Sequence, residues 1–235
     1  TSKSDCARAC RGVDFVLHQA ALGSVPRSFT DPLSTHMANT TGFLQILLAA
    51  QKAKVKRVVY ASSSSVYGDV KTLPKKEGKI GVPLSPYAVS KVADELYAHV
   101  FGGEYNQEIV GLRYFNNFGP RQNPMGPYAA AIPKWIINLL QNKVTSINGD
   151  GATSRDFCYV ANTVQANLLA ATRRSANGKI YNISVGKKVS LNQLHNLLRK
   201  MTGSDTFPKH RPFRKGDIKH SLADIGAAKR DLGYR

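Results

Sequence analysis

Three short apolar runs, separated by helix-forming stretches, constrain the fold of this chain more than any other feature of its sequence. The runs cover residues 13–20, 57–62 and 109–114, and their length and composition are typical of buried strands. Residues 31–53 and 85–101 lie between them and carry apolar residues at helical spacing. Strands that alternate with helices in this way form a parallel sheet covered on both faces. The sequence therefore predicts an α/β fold with a doubly wound parallel sheet.

The second half of the chain differs in composition and indicates a second, smaller α/β region. Prolines and glycines become frequent after Gly119, as at a crossing between regions. Beyond it we expect a further buried strand at residues 180–184 and a tight turn at 148–151. Helices are predicted at residues 129–141, at 163–173 and, with a capping serine, after Ser190.

The net charge of +18 suggests an anionic partner. A nucleic acid is one candidate, but the positive residues are scattered along the chain and no aromatic-interleaved basic stripe or known nucleic-acid motif accompanies them. We therefore favour a solvated basic surface and a site for a negatively charged small molecule, and we expect no nucleic-acid partner.

The sequence also bounds the environment of the protein. It has no run of about 18 apolar residues, so we expect no membrane partner. Three cysteines do not make a disulfide framework, which favours a reducing, cytoplasmic location. Cys6 and Cys10 are four residues apart with no further His or Cys pair beside them, so we expect no metal site.

Tyr87 and Lys91 carry the strongest chemical signal in the chain. Ser85 is a plausible N-cap and Pro86 suits the first helical position, which places Tyr87 in the first turn and Lys91 on the same helix face. The serine run 62–65 follows a predicted strand, at the end of a parallel sheet where ligands bind. Each feature alone is commonly a solvated helix face or a loop. Together they place a hydroxyl, a phenol and an ammonium around one substrate alcohol.

Several stretches in combination resemble the extended short-chain dehydrogenase/reductases of the nucleotide-sugar epimerase branch. More narrowly, the chain is similar to bacterial UDP-N-acetylglucosamine 4-epimerases. The resemblance implies a Rossmann-like fold, NAD as cofactor, a UDP-sugar as substrate and a homodimer. The stretches that carry it are residues 18–27, 62–69, 85–91, 112–116, 132–135, 147–159 and 216–224.

The resemblance implies three catalytic residues. Ser63 corresponds to the family's catalytic Ser or Thr, Tyr87 to its base, and Lys91 to the residue that holds the nicotinamide ribose and tunes the tyrosine. The residues expected at the cofactor are Ala20, Ala21, Ala61, Ser62, Tyr87, Lys91 and Tyr114. It also implies that residues 1–124 and 156–186 bind NAD, and that residues 125–155 and 187–235 bind the nucleotide-sugar.

The resemblance places a further set of residues around the substrate. Arg155 and Arg214 suit the diphosphate because a guanidinium pairs with phosphate through two hydrogen bonds. The full set is Gly23, Ser24, Ser64, Ser65, Asn116, Lys134, Trp135, Asn148, Arg155, Arg214, Asp217 and Ser221.

Two positions indicate the reaction and the sugar. Dehydrating relatives place Asp and Glu in the serine loop and decarboxylating relatives a Glu, whereas this chain has Ser64 and Ser65, so we expect 4-epimerisation through a transient 4-keto sugar. Ser221 is small where a tyrosine would exclude an N-acetyl group, which favours UDP-N-acetylglucosamine and UDP-N-acetylgalactosamine. A UDP-glucuronate or UDP-N-acetylglucosaminuronate 4-epimerase is the close alternative.

The family's usual phosphate-binding turn is not found in this sequence. Relatives begin with a strand, a Gly-x-x-Gly-x-x-Gly turn and a helix, but no such turn precedes Val13. On the order of 60 to 80 residues, two βα units, are expected to be missing, and we expect the C-terminus to stop short of the family's usual end. A non-catalytic nucleotide-sugar-binding fragment is therefore a second class of interpretation.

Overall fold

The computed structural model describes residues 2–125, 130–213 and 218–235. In chain order, strands β1 to β10 cover Phe15–His18, Arg57–Ser63, Glu108–Tyr114, Asn117–Phe118, Ser146–Asn148, Ser154–Arg155, Cys158–Tyr159, Ile180–Ile183, Val189–Ser190 and Lys209–Arg211. Helices α1 to α8 cover Lys3–Cys10, Val25–Thr30, Pro32–His36, Gly42–Lys52, Pro86–Glu104, Ala131–Leu140, Val160–Thr172 and Leu191–Thr202. A π-helical turn, Met37–Thr41, joins α3 to α4, and another covers Ala228–Leu232.

The main sheet has four parallel strands in the order β1-β2-β3-β8, which confirms the predicted fold class. Ser63 at the end of β2 lies beside Tyr114 at the end of β3, and Tyr114 lies beside Ile183 of β8. The carboxyl ends of these strands therefore meet at one edge, where an α/β sheet binds its ligands. Two short pairs, β5 with β10 and β6 with β9, belong to the second region, and β4 pairs with β7 within residues 1–124 and 156–186.

The first strand differs from its prediction. We expected a buried strand, but Phe15 and Leu17 are each 43% exposed. The physical reason is its position, because within the described residues β1 is hydrogen-bonded to β2 alone and occupies an edge of the sheet. An apolar run indicates a strand, but its burial depends on the neighbours that cover it.

The predicted helix starts agree with the structure where a capping side chain marks them. Asp31 Oδ1 accepts from the Ser34 amide at 3.0 Å, and Ser190 forms a complete capping box with Gln193. The helix of residues 31–53 contains a π-helical turn that its pattern does not predict. Helix α7 begins three residues earlier than expected, at Val160.

Three apolar clusters hold these elements together. Alternate residues of a strand point to opposite faces of the sheet, so Val59 and Val110 pack into one cluster while Val58 and Ile109 pack into another. A separate cluster around Trp135 lies beneath the second region, with Leu139, Ile147, Leu194 and Leu198. None of the helices in the described ranges has the length and hydropathy needed to span a membrane.

Candidate active site

Helix α5 begins at the carboxyl edge of the sheet and presents Tyr87 in its first turn. Ser85 Oγ accepts from the Ala88 amide at 3.1 Å and Pro86 occupies the first position, as the sequence predicts. The Tyr87 side chain is partly exposed, whereas Lys91, one turn later, is buried. The helix start therefore leaves the phenol accessible to a ligand and directs the lysine inward.

The Lys91 ammonium lies at the end of β2. Its Nζ donates to the Ala61 carbonyl at 2.9 Å and pairs with Asp94 Oδ2 at 3.1 Å. An ammonium has three N–H donors, so two partners leave one N–H for a ligand. Both ends of this ion pair are almost completely buried, and Asp94 is not among the residues that the sequence predicts for the site.

The serine loop is held by its own backbone and by helix α5. Ser62 Oγ contacts Glu95 Oε1 at 2.5 Å, and Ser63 Oγ accepts from the Ser65 amide at 3.1 Å. Ser65 Oγ is buried and has no hydrogen-bond partner among the residues that the structure describes. The loop ends at Gly68, whose φ of +48° suits glycine and where a Cβ would come within 1.9 Å of the Val82 carbonyl oxygen.

A buried polar network fixes the loop against the sheet. Arg113 donates to both carboxylate oxygens of Glu95 at 2.8 Å and to Tyr67 Oη at 3.0 Å. Tyr67 Oη in turn donates to Asn182 Oδ1 at 2.6 Å. Burial raises the pKa of Tyr67. Burial by itself would lower the pKa of Arg113, but the ion pair with Glu95 outweighs this effect, and the pKa lies above its usual value. The only signal of this network in the sequence is an arginine inside an otherwise apolar strand.

Tyr114 belongs to a closed triangle of hydrogen bonds at the end of β3. Its Oη donates to Gln19 Oε1 at 2.9 Å and accepts from Asn167 Nδ2 at 2.8 Å. Gln19 Nε2 closes the triangle on Asn167 Oδ1 at 2.9 Å. Burial raises the pKa of Tyr114 to about 12, so this phenol stays neutral at physiological pH. Gln19 and Asn167 are further residues that the sequence does not single out.

The segment after β1 leads to the same edge of the sheet. Ala20, Ala21 and Gly23 are exposed there. Ser24 Oγ accepts from the Arg27 amide at 3.2 Å and caps α2. This small-residue segment leaves the strand end uncovered within the described ranges.

Asn116 and Ser221 meet although 105 positions separate them. Asn116 Nδ2 donates to Ser221 Oγ and to the Asp156 carbonyl, both at 3.1 Å. Asp156 is fully buried, and its carboxylate accepts from the amides of Val185, Gly186 and Ala223. The buried carboxylate therefore holds the segment containing Ser221 beside the strand end.

A cavity of about 540 Å³ opens beside Asn116. Five of the residues predicted for the substrate line it: Asn116, Lys134, Trp135, Asn148 and Arg155. Ser63, Tyr87 and Lys91 lie outside this lining, so the cavity and the Ser–Tyr–Lys group are neighbouring parts of the site rather than one hollow. Arg214 and Asp217 fall outside the described residues.

Two of the cavity residues are also tied into the fold. Trp135 is buried, and its Nε1 donates to the Ser146 carbonyl at 3.2 Å, so the indole forms a rigid wall. Arg155 Nη1 donates to the Ser154 and Lys219 carbonyls, which orients the guanidinium. Over the described ranges, no group of three or more potential metal-binding side chains is found.

Comparison with known proteins gives consistent matches over almost the whole chain. Residues 1–184 match the model of the NAD dependent epimerase/dehydratase family. A putative UDP-glucose 4-epimerase of Methanocaldococcus jannaschii is 34% identical over 96% of this chain and 72% of its own length.

Two solved structures are similar to this chain in fold and sequence. One is a UDP-N-acetylglucosamine 4-epimerase from Methanobrevibacter ruminantium in complex with UDP-N-acetylmuramic acid, with a TM-score of 0.94 and 40% identity over 98% of this chain and 74% of that one. The other is a UDP-glucose 4-epimerase from Thermotoga maritima with UDP-glucose, with a TM-score of 0.95 and 35% identity over 100% of this chain and 76% of that one.

Proposed function

Because the chain belongs to the NAD-dependent epimerase/dehydratase family, we propose that it epimerises the 4-hydroxyl of a UDP-sugar and so acts as an isomerase. The observation that carries the proposal is the placement of Tyr87, Lys91 and Ser63 at the carboxyl end of β2. A phenol, a fixed ammonium and a hydroxyl at one strand end are the groups needed to move a proton on and off a sugar alcohol.

The residues at this edge fit the nicotinamide ribose of NAD. The fit rests on Lys91, whose fixed Nζ keeps one N–H for a ribose hydroxyl, and on Ala20 and Ala21, whose small exposed side chains leave the strand end open. NAD held there by Lys91, Ala20 and Ala21 would supply reversible hydride transfer at C4 of the sugar.

The chain's own residues supply the proton chemistry. Tyr87 Oη takes the proton of the 4-hydroxyl and gives it back, while the Ser63 hydroxyl holds the same oxygen. A phenol with a pKa near 10 must lose roughly 3 units, or about 4 kcal/mol, to act near neutral pH. The Lys91 ammonium and the N-terminus of α5 place positive charge at this edge of the sheet, which is the charge that such a proton transfer requires.

The cavity beside Asn116 suits the UDP portion of the substrate. Lys134 and Arg155 bring positive charge to it for the diphosphate, and the wall of Trp135 offers an apolar surface for the base. We propose that Asn148 and Asn116 bind there as well. Residues 1–124 and 156–186 would then bind the cofactor, and residues 125–155 and 187–235 the nucleotide-sugar.

The N-acetylhexosamine pair is the substrate that the site favours. Ser221 is small and lies on Asn116, so it leaves space beside the sugar where a larger side chain would fill it. Ser64 and Ser65 provide no carboxylate for elimination, which supports plain epimerisation. Gly23 and Ser24 belong to the segment that faces the same edge.

The test is exchange between UDP-N-acetylglucosamine and UDP-N-acetylgalactosamine by the full-length protein with NAD, followed by chromatography. We expect exchange in the wild type and its loss in Tyr87→Phe, with Tyr105→Phe, at the exposed C-cap of the same helix, as the matched control. Activity that survives in Tyr87→Phe would refute the role of that phenol. No exchange in the wild type would refute the substrate.

A substrate panel addresses the close alternative of a UDP-hexuronate 4-epimerase, motivated by the basic cavity. The uronate assignment requires that a C6 carboxylate raise kcat/KM above that of the neutral sugars. Calorimetry with NAD addresses the non-catalytic interpretation, because micromolar binding by this chain would contradict a loss of cofactor.

We also propose a homodimer, formed through the outer face of α5. Val89, Leu96 and Val100 are exposed on this face, with Leu96 63% exposed, while the opposite face of the same helix packs on the sheet. A helix that is apolar on both faces is usually covered on both. Light scattering is expected to give twice the chain mass, and Leu96→Lys is expected to give the single mass.

A further inference from the structure

The ion pair between Lys91 and Asp94 is the most unusual feature of the site that the proposed chemistry leaves unused. Both residues lie on α5, three positions apart, and their side chains are 4% and 2% exposed. Isolated charges are too costly to bury, so each member of this pair depends on the other. The charge of Asp94 therefore acts directly on Lys91, the lysine of the candidate active site.

Within the described residues, Lys91 is the one side chain that Asp94 contacts by a hydrogen bond or an ion pair. Its Oδ2 meets Nζ at 3.1 Å, while its Oδ1 is buried and has no hydrogen-bond partner within the described part of the chain. Glu95, the next residue, differs completely, because Arg113 and Ser62 satisfy both of its oxygens. A carboxylate held by one partner is free to respond to that partner's position and charge.

We infer that Asp94 is a positioning residue that holds the Lys91 ammonium charged and in place at the end of β2. The inference rests on the proposed function, in which that ammonium holds the cofactor ribose and places positive charge at this edge of the sheet. Asp94 touches neither substrate nor cofactor in this role. It acts through Lys91, together with the Ala61 carbonyl that accepts from the same Nζ.

The charged and titratable groups around the pair are few. Glu95 lies beside Asp94 on α5 and is itself paired with Arg113 of β3. Burial raises the pKa of Tyr60 of β2 well above 10, and the negative charges of Glu95 and Asp94 act in the same direction, so this phenol stays neutral. Burial, and to a smaller extent the positive charge of Lys91, lowers the pKa of His18 of β1 to about 4. Burial also raises the pKa of Asp94 to about 6, against the opposing effect of Lys91, so Asp94 is ionised above that pH.

A charge-removing variant separates this role from a purely structural one. In Asp94→Asn the buried ammonium loses its counter-ion, so the Lys91 pKa is expected to fall by at least about 1 pH unit, read from its side-chain NMR resonances. The matched control is Glu104→Gln at the exposed end of α5, which should leave the Lys91 titration unchanged. An unchanged Lys91 pKa in Asp94→Asn would overturn the inference.

The kcat of the full-length protein with NAD gives a second readout, because the effect of Asp94→Asn on kcat is expected to grow as the pH rises. Without its counter-ion, the buried Lys91 ammonium is expected to lose its proton more readily as the pH rises. The ratio of wild-type to Asp94→Asn kcat is therefore expected to be larger at pH 8.5 than at pH 6.5. A ratio that does not change with pH would indicate a merely structural residue and would contradict the inference.

The wild-type protein keeps the inference testable if Asp94→Asn does not fold. The Asp94 carboxyl carbon and the Lys91 side-chain resonances are expected to shift with a common midpoint near pH 6, where Asp94 takes up a proton and the ion pair is lost. Lys91 resonances that ignore the Asp94 titration would refute the coupling. These titrations need neither cofactor nor sugar, so an inactive wild type would contradict the proposed function alone.

Discussion

Replacing Arg113 with methionine is expected to destabilise the protein strongly. Arg113 is buried and donates to both oxygens of Glu95 and to Tyr67, so its loss leaves a buried carboxylate without its counter-ion. Breaking a buried ion pair from one side costs about 3 to 5 kcal/mol. Because Ser62 hydrogen-bonds to the same carboxylate, the end of β2 is expected to lose order as well.

Urea unfolding of three variants tests the size and the cause of this effect. The double variant Glu95→Gln/Arg113→Met removes the stranded charge and should recover roughly 1 to 3 kcal/mol of the loss. Arg8→Met is the matched control, since the Arg8–Asp5 pair is 75% and 60% exposed and such pairs contribute under about 1 kcal/mol. A loss below about 1 kcal/mol in Arg113→Met, or a double variant no more stable than the single one, would refute the reasoning.

Three further predictions concern the loop, the sheet edge and acid stability. Gly68→Ala should lower the free energy of unfolding in urea by more than about 2 kcal/mol, because the new Cβ would meet the Val82 carbonyl. The control Gly12→Ala, which also has a positive φ but open space around it, should lose about 1 kcal/mol. Equal losses in the two variants would contradict the steric explanation. Tyr114→Phe should lower stability by about 1 kcal/mol by opening the triangle with Gln19 and Asn167, and a Tm equal to wild type would argue against that contribution. The folded pKa of His18 lies at about 4, below its unfolded value, so the unfolded chain binds the extra proton and stability falls as pH drops from about 6.5 towards 4. His18→Phe keeps the stacking on Phe43, and its free energy of unfolding should fall by about 2 to 3 kcal/mol less than that of the wild type between pH 7 and 4.5. Parallel plots of unfolding free energy against pH would exclude His18 as the cause.

Local patterns in the sequence predicted much of the fold because they depend on nearby residues. The caps at Asp31, Ser85 and Ser190 satisfy backbone amides within one turn, so they mark helix starts wherever the helix packs. The alternation of strands and helices likewise indicates a parallel sheet before any contact is known. The spacing of Tyr87 and Lys91 belongs to the same class of local information.

Contacts between distant segments could not be predicted in this way. Asn182 joins Tyr67 across 115 positions, and its residue type alone does not indicate a buried partner. The triangle of Gln19, Tyr114 and Asn167 requires three elements to converge. The predicted roles of Ser63, Tyr87, Lys91 and the substrate residues remain predictions, which the proposed experiments address.

The sequence by itself determined the alternation of the main-sheet strands with helices, the caps at Asp31, Ser85 and Ser190, and the placement of Tyr87 and Lys91 on one face of α5. Only the tertiary structure decided which strand β1 pairs with among the described residues, that Ser221 rests on Asn116 and that Asp94 is the buried counter-ion of Lys91. The reason is physical: caps and periodicity act within a few residues of the chain, whereas the burial and pairing of a charge depend on which distant segments pack around it.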